Sequence, residues 1–339
     1  MKQRVGWLAV LMGILLTAQY SAAQTNFYEG KSIRFIVGFS AGGGYDAYTR
    51  TIARHISKHI PGNPAAVVDN MPGAGSLIAA NNIYKATKPD GLTIGHFIGG
   101  LFLQQLLGKP GIEFDSLKFE YIGVPGQDNF ILGVAKSTGV TDPEKWIASK
   151  QVIKFGGVGA GSGTDDIPNV LKATIALPVQ MVSGYKGTAD IRLAFDGGEI
   201  SGISNSWEST KSTWKKELEA GELVPVLQVT TKPHPELSKV PMALSLAKTD
   251  EAKKLIETVA RVHGASVRPY VLPPGTPKDR VQILRKAFMD TMKDPAFLAE
   301  AQKASLDINP EDGAALEQNV RQIFKLDPPL VAKLKEILK

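Results

Sequence analysis

Two glycine-rich turns hold most of the residues in this sequence whose types and spacing could do chemistry. The first reads Gly38-Phe39-Ser40-Ala41-Gly42-Gly43-Gly44-Tyr45-Asp46 and follows Ile33-Arg34-Phe35-Ile36-Val37. The second reads Gly156-Gly157-Val158-Gly159-Ala160-Gly161-Ser162-Gly163-Thr164-Asp165 and follows Gln151-Val152-Ile153-Lys154-Phe155. Each stands behind a β-like run and ahead of a helix-like one. Such a turn bares backbone N–H groups at a helix N-terminus, where those donors and the positive end of the helix dipole attract carboxylate or phosphate. Two of them in one chain point to an anion held between two lobes, with the hydroxyls of Ser40, Ser162 and Thr164 as further donors.

Rival chemistries fit the first turn less well. Gly38-Phe39-Ser40-Ala41-Gly42 matches the Gly-x-Ser-x-Gly elbow of serine hydrolases, with Ser40 as nucleophile. That elbow would lie on the first strand, however, Gly42-Gly43-Gly44 delays the helix that should begin beside the serine, and His234 and His263 are partners by order alone. Gly42-Gly43-Gly44-Tyr45-Asp46-Ala47 satisfies a dinucleotide fingerprint with Asp69 ending the next strand, but the turn is longer than the compact motif. His55 and His59 have the i, i+4 spacing of zinc ligands, yet no glutamate lies in Ile56-Ser57-Lys58 between them, so they read as surface histidines. No catalytic residue, metal or cofactor is expected.

The elements that position these turns begin after an expected leader. Lys2 and Arg4 precede an apolar run from Trp7 to Ala18, and Ser21-Ala22-Ala23 offers small residues for cleavage, the pattern of a secretory signal peptide over residues 1–23. Export weighs further against free NAD as a partner. Its removal leaves 316 of the 339 residues, enough for two domains, and lowers the formal charge from +6 to +4. With no Lys/Arg tract and no aromatic interleaving, nucleic acid is not an expected partner. The absence of cysteine excludes a disulfide framework and a thiolate metal site.

Periodicity predicts strands near 33–37, 66–69 and 92–98 flanking helices near 45–60 and 75–86, a βαβαβ pattern that implies a parallel sheet. A second alternating set follows: strands near 130–135, 151–155, 178–182, 199–205 and 223–229, with helices near 142–149, 165–176, 188–196 and 207–219. Beyond 231, helices are expected near 249–260, 278–292, 295–304, 311–324 and 328–338, with a strand-like run at 265–272.

In order and spacing, Ile33-Arg34-Phe35-Ile36-Val37, Ala41-Gly42-Gly43-Gly44-Tyr45-Asp46 and Val67-Val68-Asp69-Asn70-Met71-Pro72-Gly73-Ala74-Gly75-Ser76 resemble the periplasmic binding proteins of tripartite tricarboxylate transporters, the Bug-type or TctC-like proteins. The likeness continues through Lys88-Pro89-Asp90-Gly91, the second glycine turn, Gly184-Tyr185-Lys186-Gly187, Gly197-Gly198-Glu199-Ile200 and Pro273-Pro274-Gly275-Thr276-Pro277. It implies an α/β, type II periplasmic-binding-protein fold with a cleft between two lobes. One domain would be discontinuous, residues 24–123 plus 231–339, and the other would take 124–230.

The resemblance further implies capture of a di- or tricarboxylate, aromatic acid or amino acid, and delivery to a membrane permease by a monomeric periplasmic protein. A sensing role, docking on a sensor, would use the same closed lobes. The first loop would contribute Phe39, Ser40, Ala41, Gly43, Gly44 and Asp46, and a second loop Gly75 and Ser76. The far wall would come from Gly161, Ser162, Gly163, Thr164, Asp165, Tyr185, Asn205 and Trp207. Departures from the family pattern concentrate here and at the first turn. Gly38 replaces a usual proline, Gly163-Thr164-Asp165-Asp166 stands where many members carry Ser-His-Leu, and Ser183-Gly184 replaces Val-Pro. Asp46 and Asp165 lie in first helical turns, where a cap and a ligand contact are both open readings.

Overall fold

The computed structural model describes residues 27–265 and 268–338, so the expected leader lies outside the described residues. Apolar alternation shapes the first strand, β1 (Ser32–Val37): Ile33 and Phe35 enter one core while Ile36 faces another. After it come α1 (Gly44–Ile56), β2 (Ala65–Asn70), α2 (Leu77–Lys85), β3 (Thr93–His96), α3 (Gly100–Leu106) and β4 (Glu120–Val124). The middle of the chain forms β5 (Phe130–Ala135), α4 (Pro143–Ser149), β6 (Ile153–Gly157), α5 (Gly163–Ile175), β7 (Val179–Ser183), α6 (Thr188–Asp196), β8 (Gly202–Ser206), α7 (Trp207–Thr213), α8 (Lys215–Glu219) and β9 (Leu223–Val229). The remainder is α9 (Asp250–Ala265), β10 (Tyr270–Leu272), α10 (Lys278–Thr291), α11 (Pro295–Lys303), β11 (Glu311–Asp312), α12 (Gly313–Ile323) and α13 (Pro328–Ile337).

These strands build two sheets, ordered β11-β4-β10-β3-β1-β2 and β7-β6-β8-β5-β9. β1 lies parallel to β2 and β3, in register Phe35 with Val68 and Ile94. The expected all-parallel first sheet is corrected by β10, which arrives from late in the chain and inserts antiparallel between β3 and β4. Three residues arriving over so long a separation leave no local trace of their placement. Helix α3 also escaped the sequence reading, because its Leu101, Phe102, Leu103 and Gln104 are buried on every side and show no amphipathic period.

Return to the first sheet was expected at residue 231, but packing delays it. Gln228 of β9 bridges to Met242, α9 packs along α5, and the chain rejoins the first sheet at β10. The terminal helix α13 also touches α5, so the tail reaches across to the second sheet.

Phe130 pairs with Ser206 in antiparallel register, so β5 begins where β8 ends, and this edge faces the loops that follow β1 and β3, with Phe39 and Ile98 opposite Phe130 and Ser206. Open α/β sheets present ligand sites at that position. Contact between the lobes is close. A Cβ on Gly100, at the start of α3, would stand 2.0 Å from Gly161 O, and Ser40 N donates to Lys186 O at 3.0 Å.

Candidate functional site: a charged cavity between the lobes

Between these edges lies a cavity of about 30 Å3. From the first sheet's loops it is lined by Phe39, Gly43, Gly44, Tyr45 and Ile98. Opposite them stand Phe130, Val158, Ser162, Gly163, Thr164 and Asn205, with Asp128, Thr188, Ser206, Ser209 and Arg268 completing the wall. The volume accommodates about one water-sized sphere, far below the several hundred Å3 of usual ligand pockets, so a ligand enters only with the lobes further apart.

Much of the backbone expected to cradle an anion is engaged by the turns' own acids. Gly42 N donates to Asp46 Oδ2 at 2.9 Å, and Asp46 also accepts from Arg50 Nε and Asn70 Nδ2, each at 2.9 Å. Burial alone would raise the Asp46 pKa, but these donors outweigh it and hold the carboxyl below its ordinary value. Gly159 N donates to Asp165 Oδ2 at 2.9 Å, Gly161 N to Asp166 Oδ1 at 3.1 Å, and Val158 N to Thr164 Oγ1 at 3.1 Å. Asp165 therefore ties down the second turn, and its other oxygen accepts from Ser183 Oγ. Ser76 Oγ accepts from Ile98 N at 3.0 Å, bracing the loop behind Ile98.

The group aimed into the cavity is Arg268. Its Nε donates to Asp128 Oδ1 at 2.9 Å, and its Nη2 to Ser206 Oγ at 3.1 Å and Ser209 Oγ at 2.6 Å. The rings of Tyr45 and Tyr48 lie 4.8 and 4.6 Å from the guanidinium carbon. Nη1, fully buried, has no hydrogen-bond partner among the described residues. Burial opposes the charge, but the Asp128 carboxylate outweighs it and keeps the guanidinium's pKa raised. Close by, Glu208 accepts from Asn129 N at 2.9 Å and Asn129 Nδ2 at 2.8 Å. Its pKa is pushed up to about 7, first by burial and then by the charge of Asp128.

Of the residues read as ligand-binding from the sequence, Phe39, Gly43, Gly44, Ser162, Gly163, Thr164 and Asn205 come together on the cavity wall. Asp46, Ser76, Gly161 and Asp165 support the wall from behind, as their bonds above describe. Ser40 turns away to bridge the lobes, its Oγ donating to Asp190 Oδ2 at 2.5 Å, and Ala41 is exposed. Gly75 lies against Ala160 and Gly159, with φ +61° and a would-be Cβ 3.1 Å from Ala160 O. Tyr185 and Trp207 lie outside the lining: Tyr185 OH donates to Glu199 at 2.7 Å, and Trp207 Nε1 to Glu236 at 2.5 Å. The histidines with zinc-like spacing diverge, His55 Nε2 meeting Glu300 and His59 Nε2 meeting Asp294.

Sequence reasoning missed Arg268 and Asp128. A usable signal was present, since Arg268 is the lone charge in the strand-like run 265–272, where a buried charge demands a partner.

Two α/β lobes that meet around a charged cavity at their strand ends have the architecture of the type II periplasmic-binding-protein fold. The chain belongs to the tripartite tricarboxylate transporter family receptors, the TctC family, whose family model matches residues 48–335. It is 24% identical over 336 residues to the UPF0065 protein in the gbd 5' region of Cupriavidus necator, covering 98% of this chain and 96% of that one. Its fold is similar to that of the periplasmic binding protein BugD, with a TM-score of 0.75 at 21% identity over 91% of this chain and 98% of the other. R. palustris Rpa4515 with adipate gives a TM-score of 0.73 at 22% identity, again over 91% and 98%.

Proposed function

We propose that this receptor is exported to the periplasm, captures a small carboxylic acid between its lobes as a monomer, and delivers it to the membrane permease of a tripartite tricarboxylate-type transporter. The observation that carries the reading is the buried guanidinium of Arg268, which holds a spare donor at the cavity. A hydrogen bond from a charged donor contributes about 1.5–3 kcal/mol, and a carboxylate on Nη1 would satisfy a polar atom that is otherwise buried unpaired. Family membership and the adipate named with one fold relative support the ligand class. In this reading the lobe on the first sheet takes residues 27–124 and 268–323, and closure over the ligand forms the surface that the permease recognises.

The role is binding without catalysis. Ser40, the candidate nucleophile, donates to the Asp190 carboxylate across the lobes and stands outside the cavity lining, away from where a ligand would sit.

A thermal-shift screen against mono- and dicarboxylates, aromatic acids and amino acids tests the proposal, because a ligand selective for the folded state raises the melting temperature by mass action. A carboxylate that stabilises the wild type and fails to stabilise Arg268→Lys is the expected result. A screen in which no carboxylate shifts the wild type would end this reading.

A further inference from the structure

The charges lining the cavity already cancel. Among the described lining residues Arg268 is the cation and Asp128 the anion, joined at 2.9 Å and both almost completely buried. A simple monocarboxylate placed on Nη1 would leave one uncompensated negative charge in a closed cavity, and a dicarboxylate would leave two. Uncompensated buried charge is strongly unfavourable. Glu208, buried behind Asn129, can add only further negative charge.

A ligand that brings its own positive group avoids this imbalance. Asp128 uses Oδ1 for Arg268 Nε and lines the cavity, which leaves acceptor capacity on its carboxylate for an ammonium. Since the Asp128 contact and the spare Nη1 belong to one guanidinium, the ligand's two charges must also lie close together, as on neighbouring atoms of one small headgroup. Apart from these two charges the wall offers only neutral groups: the apolar Phe39, Ile98, Phe130 and Val158, the ring of Tyr45, and the short polar side chains of Ser162, Thr164, Thr188 and Asn205, so no group there compensates a charged side chain.

We infer that the ligand is a zwitterion, an α-amino acid with an uncharged side chain, whose carboxylate pairs with Arg268 Nη1 and whose ammonium pairs with Asp128. The inference rests on the carboxylate-receptor reading and narrows it.

Calorimetry on the purified protein tests it by titrating L-leucine and L-phenylalanine, their deaminated analogues 4-methylpentanoate and 3-phenylpropionate, and adipate. An amino acid should bind more tightly than its deaminated analogue by about tenfold or more, the worth of one charge-assisted bond. In Asp128→Asn, shown folded by circular dichroism, that preference should collapse. Equal or tighter binding of the deaminated acids, or tightest binding of adipate, would overturn the zwitterion while leaving a carboxylate receptor in place. Binding of none of the five would overturn the zwitterion, with the receptor reading then decided by the wider carboxylate screen. The wild-type comparison decides between these outcomes even if the Asn variant does not fold.

Discussion

Arg268 Nε donates to Asp128 Oδ1 at 2.9 Å, and the two side chains are only 1% and 3% exposed. They come from positions 140 residues apart, so this pair ties the strand that rejoins the first sheet to the entrance of the second. Arg268→Met would strand a carboxylate inside the protein. The expected loss of stability is about 3–5 kcal/mol, and Arg268→Met combined with Asp128→Asn should recover much of it, because breaking a buried pair costs more than replacing it. Urea denaturation of the single and double variants measures this. A double variant no more stable than the single would mean that the unpaired charge was not the cause.

Glu208 gives the fold a pH dependence. Its folded pKa is pushed up to about 7 from an ordinary 4.5, mainly by burial and secondarily by Asp128. A raised folded value means that its contribution to stability is full below the unfolded pKa and is lost as pH rises through 7. Glu208→Gln should flatten the stability profile between those values, removing a change on the order of 3 kcal/mol. Chemical denaturation across the range checks it, and an unchanged slope in the variant would assign the pH dependence to other groups.

Closure can be blocked without touching the cavity. A Cβ on Gly100 would meet Gly161 O at 2.0 Å and His263 Cε1 at 2.6 Å. Gly100 begins α3 and its φ is not in the left-handed region, so alanine strains the interlobe contact and spares the helix itself. Gly100→Ala should keep its circular dichroism spectrum, show a larger radius of gyration by small-angle X-ray scattering, and lose about tenfold or more in ligand affinity. A variant as compact as the wild type would show that the lobes absorb the methyl group locally.

The two aromatic residues read from the sequence as far wall should matter less than one that was not. Trp207→Phe and Tyr185→Phe each remove a bond to a surface glutamate and should leave ligand affinity within about twofold. Phe130→Ala removes a ring from the cavity wall and should weaken binding by about tenfold or more. Parallel calorimetric titrations decide it, and a larger effect from Trp207 than from Phe130 would move the site.

The sequence by itself determined the two α/β units, because strands such as Ser32–Val37 and Phe130–Ala135 and helices such as Thr188–Asp196 follow from local apolar spacing and their glycine and proline boundaries. It also located the two glycine turns that end at the cavity, with Gly43, Gly44, Ser162 and Gly163 on its wall. Only the tertiary structure decided what those turns do. Whether Gly42, Gly159 and Gly161 offer their N–H groups depends on Asp46, Asp165 and Asp166 folding back upon them, a matter of side-chain direction that a motif does not encode. The cavity's charge likewise depends on β10 entering the first sheet between β3 and β4, which carries Arg268 to Asp128. Pairing across such a separation is set by the whole topology, whereas sequence periodicity reports only on neighbours a few residues away.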